Sequence, residues 1–287
     1  MGLNEKFFKS ASAVVPVGDE NFDVVLYPGN GGSKTISSLG FAPDFVLIKA
    51  RTLQTAAGAY DTVRGATKYL STGNTGAEGA YGTVLNAFSS NGFTVGSNPG
   101  VNHPNNTFVA WCWKAANSTT TISANSVGNT IASNVRANQE SGFSIVQWAG
   151  TDQNATVAHG LGVKPQLILF KARGADNNWG AYNETISATK FLILNTVASA
   201  ANSSTPFQDT EPTDAIMTLG TSGSFNRSGT GGMIAYCFAS ISGYQLVGSY
   251  TGISSGNVVV TCGFKPRFIM LKNTDGSGNW EIYLYGD

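Results

Sequence analysis

The chain has 287 residues, room for two ordinary domains. Its 17 basic and 17 acidic side chains cancel, and only 12% of residues are charged. This leaves no basic footprint for nucleic acid, and no apolar run is long enough for a membrane-spanning helix. Glycine is abundant (35 residues), yet aromatics make up 11% and the apolar segments are well formed, which suits a turn-rich all-β protein and not a disordered chain.

Residues 1–20 read as a leader whose composition differs from the rest. Asn4 is placed to cap a short helix through Lys6-Phe7-Phe8-Lys9. The segment has no long apolar core of the kind a signal peptide needs. From residue 21 onward the chain copies itself. Pro43-Asp44-Phe45-Val46-Leu47-Ile48-Lys49-Ala50-Arg51 returns 122 residues later as Pro165-Gln166-Leu167-Ile168-Leu169-Phe170-Lys171-Ala172-Arg173. It returns after a further 101 residues as Pro266-Arg267-Phe268-Ile269-Met270-Leu271-Lys272-Asn273. Phe22 to Gly29 aligns with Phe143 to Gly150 and with Tyr244 to Gly252; Val109-Ala110-Trp111-Cys112-Trp113 aligns with Ile234-Ala235-Tyr236-Cys237-Phe238. Repetition on this scale is the mark of an array of like modules. The expected division is a leader (1–20), module one (21–115), a linker (116–141), module two (142–242) and a partial third module (243–287).

In chain order, each module's strongest strand is the short, β-rich apolar run after its proline, read as a central strand of an antiparallel β-sandwich. Pro43, Pro165 and Pro266 sit at strand entry, where a missing N–H is tolerated. Gly29-Asn30-Gly31-Gly32, Ser90-Asn91-Gly92, Gly160-Leu161-Gly162 and Asp275-Gly276 carry turn chemistry between strand pairs. The stretches 71–91 and 195–216 are long loops suited to function or to contact with a neighbour. Helical signal is confined to one or two turns over 184–190. In the third copy, 245–250, 257–261 and 267–272 read as strands.

Chemistry-bearing residues are sparse. His159 is replaced by Ser37 and Val260 in the other copies, so it reads as a turn or surface histidine; His103 reads as a loop residue. Two isolated histidines and three scattered cysteines give no zinc set. Cys112, Cys237 and Cys262 read as buried free thiols. Gly252-Ile253-Ser254-Ser255-Gly256 matches a nucleophile-elbow pattern literally but leads into a strand where a helix is required. Asp209, Glu211 and Asp214 read as solvated loop acids, with a glycosidase pair as the rival reading. Trp111, Trp113, Trp148, Trp179 and Trp280 read as packing residues, with sugar stacking at Trp179 and Trp280 as the rival. No catalytic, cofactor-binding or metal-binding residue is assigned, and no cofactor is expected.

Three stretches carry a family likeness: Val25-Leu26-Tyr27-Pro28-Gly29-Asn30-Gly31, Tyr60-Asp61-Thr62-Val63-Arg64-Gly65-Ala66, and Phe108-Val109-Ala110-Trp111-Cys112-Trp113-Lys114-Ala115. They resemble a repeat of tail-fibre and other virion proteins of marine and cyanobacterial tailed phages. The resemblance implies a non-enzymatic virion component, a tail fibre or appendage used in host attachment, with the leader docked on the particle. A capsid decoration protein and a glycan-binding or depolymerising tailspike are the alternatives. Other virion proteins, a host surface glycan and further copies of the chain are the expected partners. The third copy stops near Trp280, so its half-sandwich is expected to be completed by another subunit (as a homotrimer), by module one or two, or by residues further along a longer chain.

Overall fold

The computed structural model describes residues 18–284. Most of the expected leader, with Asn4 and its short helix, lies outside the described residues; its last part forms a one-turn helix, α1 (Gly18–Asn21). Strand accounts for 38% and helix for 5%, every sheet is antiparallel and none closes, so the protein is an all-β sandwich assembly.

Module one contributes β1 (Phe22–Pro28), β2 (Lys34–Ile36), β3 (Phe45–Ala50), β4 (Gly58–Asp61), β5 (Lys68–Ser71), β6 (Gly79–Ala80), β7 (Leu85–Ser89), β8 (Gly92–Val95) and β9 (Thr107–Trp113). They form a large sheet of order β1-β9-β3-β4-β5-β6 and a small one, β2-β8-β7. Next come β10 (Thr120–Ile122), β11 (Ser133–Asn138), β12 (Phe143–Trp148), β13 (Ala155–Ala158), β14 (Leu167–Ala172), β15 (Gly180–Asn183), β16 (Lys190–Ile193), β17 (Ala201–Asn202), β18 (Ile216–Leu219) and β19 (Met233–Phe238). Their large sheet runs β10-β11-β12-β19-β14-β15-β16-β17, with β13-β18 as the small one. Removing β10 and β11 leaves the same order in both large sheets. The register agrees as well: Val46 faces Cys112 and Ile168 faces Cys237. A last hairpin pairs β20 (Phe268–Lys272) with β21 (Trp280–Leu284).

The central strands are apolar on both faces because both faces are covered. In β3, Val46 and Ile48 point into module one's own sandwich with Phe93, Val95 and Leu85 of the small sheet. Phe45 and Leu47, on the other face, join a second core shared with module two. A strand covered on one face only would alternate apolar with polar residues. Module two repeats this: Ile168 and Phe170 pack under Val157 and Met217, while Leu169 joins the shared core.

Several expectations change. Residues 116–141 are no free linker, because β10 and β11 extend module two's sheet along the edge of β12. Val135 is buried there, and Arg136 ties the strand to module one through Asp44 at 3.1 Å. Two of the four turn motifs make hairpins, at Ser90-Asn91 and in the 273–279 connection. The Gly29 and Gly160 motifs instead carry the chain from the large sheet to the small one or back. The helical signal at 184–190 condenses to a single 3-10 turn, Glu184–Ile186, capped by the Asn183 side chain. Residues 245–250 and 257–261 do not form strands. Their counterparts β1 and β12 pair with β9 and β19, and β2 and β13 with β8 and β18; among the described residues the third copy has no equivalent of these partners.

Two one-turn helices went unanticipated: α2 (Pro99–Asn102) and α3 (Gly223–Asn226). Each ends in a fully buried asparagine. The Asn102 carboxamide accepts from Asn30 N at 2.8 Å and donates to the Gly32 and Gly96 carbonyls. Asn226 accepts from Thr151 N at 3.2 Å and donates to Thr151, Gln153 and Gly220. Each thereby holds the sheet-to-sheet corner of its module. Glycine is required beside it: a Cβ on Gly29 would lie 2.1 Å from the His103 carbonyl oxygen, and one on Gly150 would lie 1.9 Å from that of Arg227.

Candidate functional site

The positions that recur between copies converge on the surface where modules meet. Phe45 stacks on Tyr236 with ring centroids 4.2 Å apart and lies 6.0 Å from Phe143. Trp179, on module two, is buried against module one and donates its indole N–H to the Ser71 carbonyl at 2.7 Å. Lys171 is fully buried, with its ammonium between the Thr75 carbonyl of module one (2.8 Å) and its own Asn177 carbonyl (2.7 Å). Backbone bonds complete the seam, from Glu78 N to Arg173 O and from Asn177 N to Thr75 O. The segment 71–91, expected as a long loop, carries β6 and β7, and 195–216 carries β17; residues 71–78 contact the neighbouring module, one of the two roles expected of the segment.

The same step is taken again by the last hairpin. Trp280 donates its indole N–H to the Ile193 carbonyl at 3.1 Å, and Lys272 donates to the Val197 carbonyl (3.1 Å) and its own Gly278 carbonyl (2.6 Å). Gly278 N bonds Val197 O, and Ala200 N bonds Thr274 O. Ser71, Thr75 and Glu78 on the first side of the step become Ile193, Val197 and Ala200, each 122 residues on, and Lys171, Arg173, Asn177 and Trp179 on the second side become Lys272, Thr274, Gly278 and Trp280, each 101 residues on. The hairpin then returns to module one. Phe268, the counterpart of Phe45, lies 5.9 Å from Trp111 and 6.2 Å from Phe22, the counterparts of Tyr236 and Phe143. Arg267 pairs with Asp23 at 2.7 Å. One meets two, two meets three, and three meets one: the modules close a pseudo-threefold ring around one apolar core.

A buried charge cluster occurs at the first of these junctions. Arg64 and Asp61, both fully buried, pair with each other, and the Tyr236 hydroxyl donates to Asp61 at 2.7 Å. Arg64 also donates to the Ala59 carbonyl and to the Tyr236 oxygen, and reaches Glu78 at 3.3 Å. Glu78 in turn accepts two bonds of 2.9 Å from Arg173. Burial pushes the Glu78 carboxyl up, but Arg173 and Arg64 outweigh it and hold the group below the usual carboxylate range. Two cations face two anions, so the cluster is neutral, as a buried charged group requires. Sequence reasoning did not find it. The available signal was the recurring Lys-x-Arg at the end of the central strand, Lys49-Ala50-Arg51 and Lys171-Ala172-Arg173.

The remaining candidates fall elsewhere. His159 is fully buried and not a surface residue. Its Nε2 lies 3.2 Å from the Thr213 carbonyl and its Nδ1 accepts the Leu161 N–H at 3.3 Å, an arrangement only the neutral ring satisfies. Burial pushes its pKa down to about 4. His103 is a loop residue bonded to Asn106. Cys112 and Cys237 are buried free thiols, whereas Cys262 is only half-buried because the strand expected around it does not form. Asp209 and Asp214 are exposed, and Glu211 is held by the Tyr182 hydroxyl, the Ala188 N–H and Lys164. Ser254 lies in an exposed bend, with no helix behind it. Trp111, Trp113, Trp148 and Trp179 are buried, which closes the sugar-stacking reading for Trp179. A surface depression of about 490 Å³ beside Trp148, Gln147, Asn134 and Arg173 has no carboxylate in its lining. Among the described residues, no three His, Cys, Asp or Glu side chains converge to hold a metal ion, and no helix is long and apolar enough to cross a membrane.

A family model described as a domain of unknown function, DUF7483, matches residues 18–285, which takes in both full modules and the hairpin. The chain belongs to the DUF7483 family. No curated protein and no solved structure matches it. The span matched by DUF7483 coincides with the three-module ring.

Proposed function

We propose that the chain is a structural, non-enzymatic virion protein of a tailed phage, a tail fibre or tail appendage involved in host attachment. The observation that carries this reading is the repeated module-to-module step. Positions shared between copies, where a family of enzymes would place a common catalytic set, go to packing one module against the next. The zero net charge, the glycine-rich composition and the likeness to virion repeats support the same reading. Its partners are other virion proteins, further copies of the chain and a host surface glycan. A homotrimer would use surfaces other than the Phe268 ring, which module one covers.

Immunogold electron microscopy of phage particles carrying an epitope-tagged copy tests this. Label on the tail or its appendages is expected. Label spread over the capsid shell would overturn the assignment in favour of a decoration protein. Cleavage of host polysaccharide by the purified chain would overturn the non-enzymatic part.

A further inference from the structure

The two modules fill their own cores differently. Ile48 and Phe170 are counterparts, facing Ala110 and Ala235 in the ladder. So are Leu85 and Phe207, each following the residue whose carbonyl takes the Gly96 or Gly220 N–H. Val101 and Phe225 are each the third residue of a one-turn helix. In module two the three phenyl rings pack together, with centroids 4.9, 5.3 and 6.0 Å apart. In module one all three positions are aliphatic, and a cavity of about 330 Å³ lies beside them, with Gly58, Val84 and Gly100 in its lining. Tyr60, Tyr69 and Tyr81 give it aromatic walls, and Tyr81, which is exposed, stands at the mouth. The hydroxyls around it are an independent sign. Tyr60 is fully buried, and its hydroxyl has no hydrogen-bond partner among the described residues. The counterpart Tyr182 donates its hydroxyl to Glu211, but the matching stretch of module one, 86–91, holds no carboxylate. The Thr55 hydroxyl, in the same lining, is also buried and unpartnered. Protein interiors rarely leave such groups unpaired.

We propose that this cavity of module one binds a single uncharged sugar ring. Its volume lies within the range of small-molecule sites, about 300–1,000 Å³. The tyrosine faces suit the C–H faces of a pyranose, and the Tyr60 and Thr55 hydroxyls, each able to donate and accept, suit its hydroxyls. Asn98, also in the lining, spends its carboxamide oxygen on the Gly100 N–H at 2.9 Å and keeps its own N–H groups for a ligand. No Asp, Glu, Lys, Arg or His lines the cavity, so an acidic sugar would bury its carboxylate without a counter-charge. A purely apolar ligand would leave both hydroxyls unpaired. The source of the sugar rests on the host-attachment reading above: it is the terminal residue of a host surface glycan, entering past Tyr81.

The test titrates the full chain with the methyl glycosides of galactose, glucose and mannose, with glucuronate and phenol as controls, and follows calorimetry and the tyrosine ring signals by NMR. At least one glycoside is expected to bind one-to-one and to shift the rings of Tyr60, Tyr69 and Tyr81, with glucuronate weaker by at least about tenfold. Tyr60→Phe and Tyr81→Ala should each weaken binding about tenfold, the loss of one hydrogen bond or one ring contact. Tyr60→Phe should melt no lower than the parent, because the hydroxyl it removes has no partner in the free chain. Undiminished binding in both variants, or phenol binding where no sugar does, would overturn the proposal. Arrayed oligosaccharides ending in the sugar that binds should be captured as well; capture of the free sugar alone would overturn the host-glycan source. Absence of all binding would sink the site and leave the virion assignment to the immunogold result.

Discussion

His159 shows how one buried ring couples this fold to pH. Its ordinary pKa is 6.5, and burial lowers it to about 4 in the folded protein. As pH falls from 6.5 the unfolded chain takes up a proton that the folded chain refuses, so stability is present above 6.5 and is lost towards pH 4. The shift corresponds to roughly 3 kcal/mol. Urea unfolding at a series of pH values should show that loss, and His159→Gln should flatten the curve between pH 6.5 and 4. An unchanged slope in the variant would assign the acid sensitivity to other groups. Arg64 makes a second case at this scale. Arg64→Met strands Asp61 in the interior and should cost about 3–5 kcal/mol, whereas Tyr236→Phe removes one donor and should cost about 1–3 kcal/mol. Denaturant melts of the two variants check the order, and a larger loss in Tyr236→Phe would mean that the cluster is misassigned.

At the scale of elements, each sandwich depends on a corner that a single asparagine holds. Asn102 and Asn226 satisfy the backbone where the chain leaves one sheet for the other. Asn226→Ala leaves several buried groups unpaired, each at about 1–3 kcal/mol. Gly150→Ala drives a Cβ to within 1.9 Å of a backbone carbonyl, which cannot retreat as a flexible side chain would. Both variants should lower the melting temperature of module two, followed by circular dichroism. A Gly150→Ala protein as stable as the parent would show that the corner is looser than its geometry. The same scale explains which third-copy strands fail. Residues 257–261 have ample β propensity, but propensity on a pleated surface stands for packing against neighbours, and among the described residues no strand pairs with them.

The whole molecule is held by a core that belongs to no single module. Phe45, Tyr236, Trp179 and Phe268 lie in that core or pack against it from three copies. Modules joined through so much common apolar surface should unfold together. A single calorimetric transition is the expected result, with calorimetric and van't Hoff enthalpies in agreement. Two resolved transitions would show that the modules are independent beads. Ring closure makes a sharper prediction: Phe268→Ala should speed hydrogen exchange in β1 and β9, some 150 to 250 residues away along the chain, because Phe268 packs on Phe22, Trp111 and Trp113. A change confined to β20 and β21 would contradict closure.

Much of the fold was legible because it is written more than once. The prolines at 43, 165 and 266, the apolar runs that follow them and the matched cysteines place the central strands and show which strands correspond between copies without a structure, since each short apolar run bounded by turn residues reads as a strand. The all-β sandwich class follows from the same runs and from the glycine-rich turns. The ring was not legible. Ser71, Ile193, Thr75 and Val197 act through backbone carbonyls, which leave no trace in side-chain identity. The buried cluster joins Arg64 to a tyrosine 172 residues away, a pairing that only folding creates. The burial of His159 likewise depends on the segment at 213–216 closing over it. Local pattern determined the central strands and that both their faces are apolar; the tertiary structure decided which flanking segments become strands and what those faces meet, because contact between distant segments depends on how whole sheets dock.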